Sequence, residues 1–271
     1  MPPGRSVPAG PLSTEQWIDA LLDRHMRGFT TSEFLKAVRA LSVRYVERRA
    51  ELPHRSPIDS AGKRAAFAGF FAPLHHLTAR SVATAVGAGD RPLEHIVDLG
   101  CGTGAAGSAW GTTLPTRPVL TGVDQTPWVL EEARWNWDVL GFSSTTKRHD
   151  FVEFAWGGRD TRGSTRGATG IVLGWSANEL AHEGRGRLLP RLLKAHELGA
   201  SILVIEPLAR SAAKWWNSWV QPVVEAGGRA DDWKFPANLP PRLAELDSQA
   251  GFRREHLSAR SLWLPAGDPP S

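Results

Sequence analysis

Residues Leu93 to Gly104 read LEHIVDLGCGTG, and this stretch decides the fold. Leu93 to Leu99 is a short apolar run of strand length. It passes directly into Gly100-Cys101-Gly102-Thr103-Gly104, with Ala105 and Ala106 opening a helix behind it. A strand, a tight glycine turn and a helix together hold a nucleotide-like ligand at the strand's carboxyl end. The glycines allow positive φ and close approach of the backbone. The free N–H groups of the following helix can face a polar ligand tail. Cys101 lies inside the turn, where its backbone matters more than its thiol.

Working outward, a second apolar strand runs from Pro118 to Val123 and ends at Asp124. A carboxylate there is placed to accept hydrogen bonds from a ribose diol, and it follows Asp98 by 26 residues, near the usual spacing for such an acid. The helix behind it carries Trp128, Trp135 and Trp137. Trp128 is close enough to line an adenine pocket. Trp135 and Trp137, two apart, cannot share a face.

The whole string VDLGCGTG, followed by a strand ending in acid, resembles the first two motifs of the class I S-adenosylmethionine-dependent methyltransferases. It differs from the GxGxxG opening of nicotinamide dehydrogenases. The resemblance covers about residues 93–264. It implies a Rossmann-like α/β fold: a seven-stranded sheet of order 3-2-1-4-5-7-6 with an antiparallel last strand. The remaining segments fit that order. Ser144 to Arg148 reads as the third strand, Gly170 to Trp175 as the fourth, Leu188 to Leu198 as a helix, and Ser201 to Ile205 as the fifth strand, ending in Glu206-Pro207. Ser211 to Ala226 reads as a tryptophan-rich helix. Phe252 to Ala259 and Ser261 to Leu264 read as the closing hairpin. The resemblance implies S-adenosylmethionine as cofactor, held by Asp98, Gly100, Cys101, Gly102, Gly104, Asp124, Gln125, Asp150 and Trp175. Asp150 stands where the family often contacts the adenine amino group.

Upstream, Ser13/Gln16 and Thr30/Glu33 are capping-box pairs. They open helices expected from about 14 to 27 and from there to about Glu51, with Pro53 and Pro57 marking a break. A third helical stretch from Asp59 or Ser60 carries an apolar stripe through Phe67, Phe70, Phe71 and Leu74. Pro73 should kink or split it. The stripe is a packing face for the following domain or a lid over a site. His75 and His76 point in different directions and make a poor metal pair. The expected division is a flexible tail over 1–12, a helical domain or lid over 13–91 and a donor-binding domain over 92–271.

The 271 residues contain one cysteine, which excludes an intramolecular disulfide framework and any multi-cysteine metal site. No metal site is expected. There is no run of 18 apolar residues and no signal-peptide pattern, so a cytoplasmic setting without membrane contact is expected. The net charge of +4 is uneven: residues 1–91 hold 13 Lys/Arg against 8 Asp/Glu, and the rest is near neutral. That excess faces a phosphate backbone or is a solvated helical face. Residues 156–168, WGGRDTRGSTRGA, read as a surface loop or as an arginine loop near substrate. Twelve tryptophans stand against one tyrosine.

Chemistry should sit after the fourth strand, at Trp175-Ser176-Ala177-Asn178-Glu179-Leu180. Methyl transfer is an in-line displacement in which the enzyme aligns donor and acceptor. A weakly acidic acceptor also needs a base. Glu179 or His182 suits that role, and both residues suit a structural one. Asn178 can orient an acceptor or bond the donor's amino-acid end. The string lacks the NPPY or DPPY signature of amino methyltransferases acting on nucleobases.

A second resemblance spans the full chain. RYVERR, FFAPLHHLTARSVA, the glycine motif, GWSANEL and LVIEP occur in the order seen in the mitochondrial small-ribosomal-subunit methyltransferase-like proteins and their bacterial relatives. It implies ribosomal RNA modification or subunit assembly. The cysteine cluster often carried by those proteins is absent here. Three expectations follow: an RNA methyltransferase with ribosomal RNA foremost, a small-molecule methyltransferase with a tryptophan-lined pocket, or a non-catalytic donor-binding assembly factor.

Overall fold

The computed structural model describes residues 10–47, 58–156, 168–209 and 215–267. Most of the arginine loop, the Pro53–Pro57 break and the first nine residues of the expected tail lie outside them.

The chain begins with two capped helices. In α1 (Thr14–His25) the Ser13 hydroxyl accepts from Gln16 N and the Gln16 side chain accepts from Ser13 N. In α2 (Thr31–Glu47) Thr30 and Glu33 repeat the exchange. These reciprocal bonds satisfy amide donors that a helix start leaves orphaned. Next come α3 (Ala61–Ala66), one π turn (Phe67–Phe71) and α4 (Ala72–Ala85). The kink expected at Pro73 takes the form of this π turn. Ala72 N bonds back to Phe67 O, an i to i−5 bond that widens the continuous helical run just before Pro73, where the ring and the missing N–H would otherwise disrupt it.

The sheet follows: β1 (His95–Leu99), α5 (Ala105–Gly111), β2 (Val119–Asp124), α6 (Pro127–Val139), β3 (Ser144–Arg148), β4 (Thr169–Gly174), α7 (His182–Glu197), β5 (Ser201–Glu206), α8 (Trp216–Glu225), β6 (Arg229–Pro236), α9 (Pro241–Gln249) and β7 (His256–Leu264). Its order is β3-β2-β1-β4-β5-β7-β6, with β7 antiparallel to both neighbours, as the first resemblance implies. This is the Rossmann-like class I methyltransferase fold.

The expected closing hairpin is corrected. Residues 256–264 form one strand, and its partner is Arg229–Pro236, with α9 between them. The sequence RADDWKFP escaped notice because β6 is an edge strand with no fully buried residue. It therefore carries charges where the inner strands carry an apolar run. The helix expected from Leu188 begins six residues earlier, at His182, because its first turns are polar and half-exposed.

Burial alternates along the strands and divides the core into two layers. Ile96, Val172, Leu203 and Ile205 face α1, α2, α4, α5, α6 and α9. Val97, Ile171, Leu173, Ile202 and Val204 face α7 and α8 through Leu188, Leu192, Trp216 and Trp219. The N-terminal helices share their core with the sheet.

Candidate functional site

The site is built at the carboxyl ends of β1, β2 and β4, where the chain order reverses beside β1. The glycine turn fits here for steric reasons. Gly100, Gly102 and Gly104 all have positive φ, at 67°, 50° and 81°. A Cβ on Gly100 would lie 2.5 Å from Ser176 Cβ, and one on Gly104 would lie 2.5 Å from the Trp137 indole nitrogen. Gly102 differs: nothing lies within 4 Å of where its Cβ would be. The turn is thus packed on two sides and open on one.

The turn's carbonyls face inward. Asn136 Nδ2 donates to Thr103 O at 2.9 Å, and Trp137 Nε1 donates to Gly104 O at 2.8 Å. Ser108 Oγ also donates to Gly104 O, and Ser176 Oγ donates to Leu99 O at 2.7 Å. None of these four supports is readable from the sequence: Ser108, Asn136 and Trp137 lie on helices, where a single hydrogen-bonding side chain leaves no periodic signal, and Ser176 lies in the connection after β4.

Asp98 is buried at the end of β1. Its Oδ2 accepts from Gly107 N at 2.8 Å, whereas the equally buried Oδ1 has no partner. Desolvation raises its pKa to about 7; the Gly107 bond opposes the rise, and Asp124 adds repulsion. Asp124 sits at the neighbouring strand end on the cleft rim. Its carboxylate accepts from Gly102 N at 3.1 Å and Thr126 N at 2.8 Å, which ties the turn to β2. Gln125 is exposed beside it, and its carbonyl accepts from Arg148 Nε. Asp150, half-buried, caps Val152 N. Cys101 is buried, and desolvation pushes its thiol well above the ordinary range.

Beyond β4, Trp175 adopts φ 60°, a conformation uncommon for a residue with a side chain. Its ring stacks on His75 of α4, with centroids 4.2 Å apart. His75 also meets Phe67 of the π turn, which in turn meets Trp128. Desolvation, with Arg254 adding repulsion, lowers the pKa of His75 to about 4, so it is neutral near pH 7.

Asn178 and Glu179 lie in a 3-10 turn over Ala177–Glu179. Asn178 N donates to buried Glu206 Oε1 at 2.9 Å, and Asn178 Oδ1 accepts from Trp215 Nε1 at 3.1 Å. Glu179 is reached by solvent, yet enough protein surrounds its carboxyl for desolvation to raise its pKa to about 7, with Asp124 contributing repulsion. His182 is exposed at the start of α7, and its side chain makes no hydrogen bond among the described residues. Among the described residues no group of three or more His, Cys, Asp or Glu could hold a metal. No helix among them is long and apolar enough to cross a membrane.

No protein-family model matches the sequence, and no curated protein matches it. Solved structures do. A putative O-methyltransferase from Nostoc punctiforme is 15% identical with a TM-score of 0.51, over 86% of this chain and 72% of that one. Mitomycin 7-O-methyltransferase is 16% identical with a TM-score of 0.49, over 94% and 69%. The plantazolicin methyltransferase in complex with SAH is 13% identical with a TM-score of 0.46, over 91% and 99%. At these identities the likeness is one of fold, that of the class I S-adenosylmethionine-dependent methyltransferases.

Proposed function

We propose that this chain is an S-adenosylmethionine-dependent methyltransferase whose acceptor is a small molecule. The observation that carries the reading is the unpartnered, buried Oδ1 of Asp98, on the strand that leads into the turn with the open Gly102. A buried carboxylate oxygen without a donor is costly. A cationic ammonium group, such as the one at the donor's amino-acid end, would supply the missing partner. Asp98 and the turn amides would hold that end, Asp124 would accept from the ribose hydroxyls, and Asp150 and Trp128 would meet the base. When bound, the donor supplies an electrophilic methyl group on a sulfonium.

The chain's own part is to position and to move a proton. Glu179, with its pKa near 7, exists in both protonation states at neutral pH and suits a general base. Glu206 anchors the Asn178 backbone through its N–H, and Trp215 Nε1 holds the side-chain oxygen, which sets the direction of Nδ2.

A small acceptor is favoured because the N-terminal helices roof this end of the sheet. His75 lies on Trp175, and Phe67 meets Trp128. A polymer would have to displace that aromatic cover. The RNA reading leaned on the basic N-terminal third and on the arginine loop, and much of that charge lies outside the described residues. The test is incubation with radiolabelled donor and separated RNA, protein and metabolite fractions. Label in metabolites supports the reading. Label in RNA overturns the choice of acceptor. No label despite tight donor binding overturns catalysis and leaves a donor-binding factor.

A further inference from the structure

Two buried polar chains run from the N-terminal helices to the glycine turn. In the first, Trp17 of α1 donates its Nε1 hydrogen to Asn136 Oδ1 at 2.8 Å. Asn136 Nδ2 then donates to Thr103 O at 2.9 Å. Trp17 and Asn136 are 119 residues apart in sequence and both are buried. An amide side chain held at its oxygen cannot flip without losing both bonds, so Trp17 decides which end of Asn136 faces the turn. In the second, Ser108 Oγ donates to Gly104 O at 2.8 Å. A hydroxyl has one hydrogen, so the 3.2 Å contact between His76 Nδ1 and Ser108 Oγ must have His76 as donor. This fixes the His76 tautomer and leaves Nε2 as a buried acceptor without a partner. Desolvation lowers the His76 pKa to about 3, which keeps the ring neutral. The two chains meet, because the Trp17 and His76 rings pack at 4.7 Å.

We propose that Trp17 and His76 are positioning residues for the donor turn, and that the helical region is part of the donor-binding apparatus as well as a cover. With the Thr103 and Gly104 carbonyls held inward by Asn136, Ser108 and Trp137, the turn is fixed in the form that leaves Gly102 open. The naming of this turn as the donor turn rests on the methyltransferase reading; its control by Trp17 does not.

The experiment compares Trp17→Phe and Asn136→Leu with Trp110→Phe in the full chain. Trp110 is as buried as Trp17, and its indole donates to Ala88 O at 2.9 Å, a carbonyl outside the turn. It controls for loss of a buried indole bond. The readout is hydrogen exchange at the Gly102 and Gly104 amides, measured without donor and at matched global stability. Trp17→Phe and Asn136→Leu should speed that exchange by about tenfold or more, with Trp110→Phe leaving it unchanged. Donor affinity, by calorimetry, should weaken about tenfold in the first two only. Equal exchange in Trp17→Phe and Trp110→Phe overturns the inference. Selective exchange in a protein that binds no S-adenosylmethionine leaves the inference standing and overturns the methyltransferase reading instead.

Discussion

Replacing Asp98 with Asn should make the empty protein more stable and the donor site worse. Asp98 is almost fully buried, and its pKa is raised from 3.8 to about 7. The sign follows from proton binding. Below about pH 4 the carboxyl is protonated in both folded and unfolded states. As pH rises toward 7 the unfolded chain ionises first, so stability falls, and above about 7 the penalty is complete. The gap between the two values corresponds to a ceiling of about 4 kcal/mol. Asn removes the charge and keeps an oxygen for Gly107 N, but its amide hydrogens replace the partnerless Oδ1 and cost about 1–3 kcal/mol. The net expectation at pH 8 is a gain of roughly 1–3 kcal/mol, or several degrees in Tm. At pH 4 the gain should vanish or reverse, since the wild-type carboxyl is then neutral. On the proposed binding mode, losing the charge assigned to the donor's ammonium should weaken S-adenosylmethionine binding by about 100-fold or more. Thermal melts at both pH values and calorimetric titration at pH 8 measure all of this. An Asp98→Asn protein that melts below wild type at pH 8, or that binds the donor as tightly, refutes the reasoning.

Three other substitutions probe the same cleft. Wild-type activity should rise with pH through about 7; Glu179→Gln should abolish that rise and lower kcat by about 10²- to 10⁴-fold while leaving donor Kd unchanged. An unchanged pH profile removes Glu179 as the base. Gly104→Ala combines a φ of 81° with a Cβ 2.5 Å from the Trp137 indole, and should cost about 3 kcal/mol or more in denaturant melts. Asp124→Ala should weaken donor binding at least tenfold by removing the ribose acceptor and the tie to Gly102 N; fluorescence titration at constant Tm separates the two effects.

The half of the cleft proposed to hold the donor was legible as structure because its requirements are local. Asp98, the three glycines and Asp124 lie at strand ends within one βαβ unit, and both backbone freedom and charge are written in residue type. The acceptor half was only half legible. Asn178 and Glu179 follow β4 in sequence, but the raised pKa that suits Glu179 to the proposed role comes from its surroundings: desolvation first, then repulsion from a carboxylate 55 residues away at Asp124. His182 opens α7 three residues beyond Glu179 and is exposed there, because that helix starts earlier than its apolar pattern. β6 was missed for a related reason: an edge strand guarded by Arg229, Asp231, Asp232 and Lys234 has too little apolar content to announce itself. Trp17 and His76 were unreadable as site residues, since their connection to the turn runs through Asn136 and Ser108 on two other helices.

The tryptophan excess now has a physical account. A buried carbonyl needs a donor, and a buried donor should bring no acceptor of its own that then goes unmatched. The indole alone among large apolar groups meets both conditions: one N–H, no acceptor, and a broad apolar surface. Tyrosine brings an oxygen with lone pairs, and phenylalanine brings no hydrogen. Trp137 satisfies Gly104 O, Trp110 satisfies Ala88 O, and Trp17 fixes the amide that satisfies Thr103 O. At the half-buried margin the same ring serves its other face. Arg24 lies over Trp135, Arg64 over Trp128, Arg185 over Trp215 and Arg191 over Trp156, at 4.2 to 5.8 Å from the centroids. Arginine suits that stacking better than lysine because its charge is planar and weakly hydrated. The indoles thus serve two purposes: Trp137 and Trp110 close buried carbonyls inside, and guanidinium groups cover four of the indoles that reach the surface.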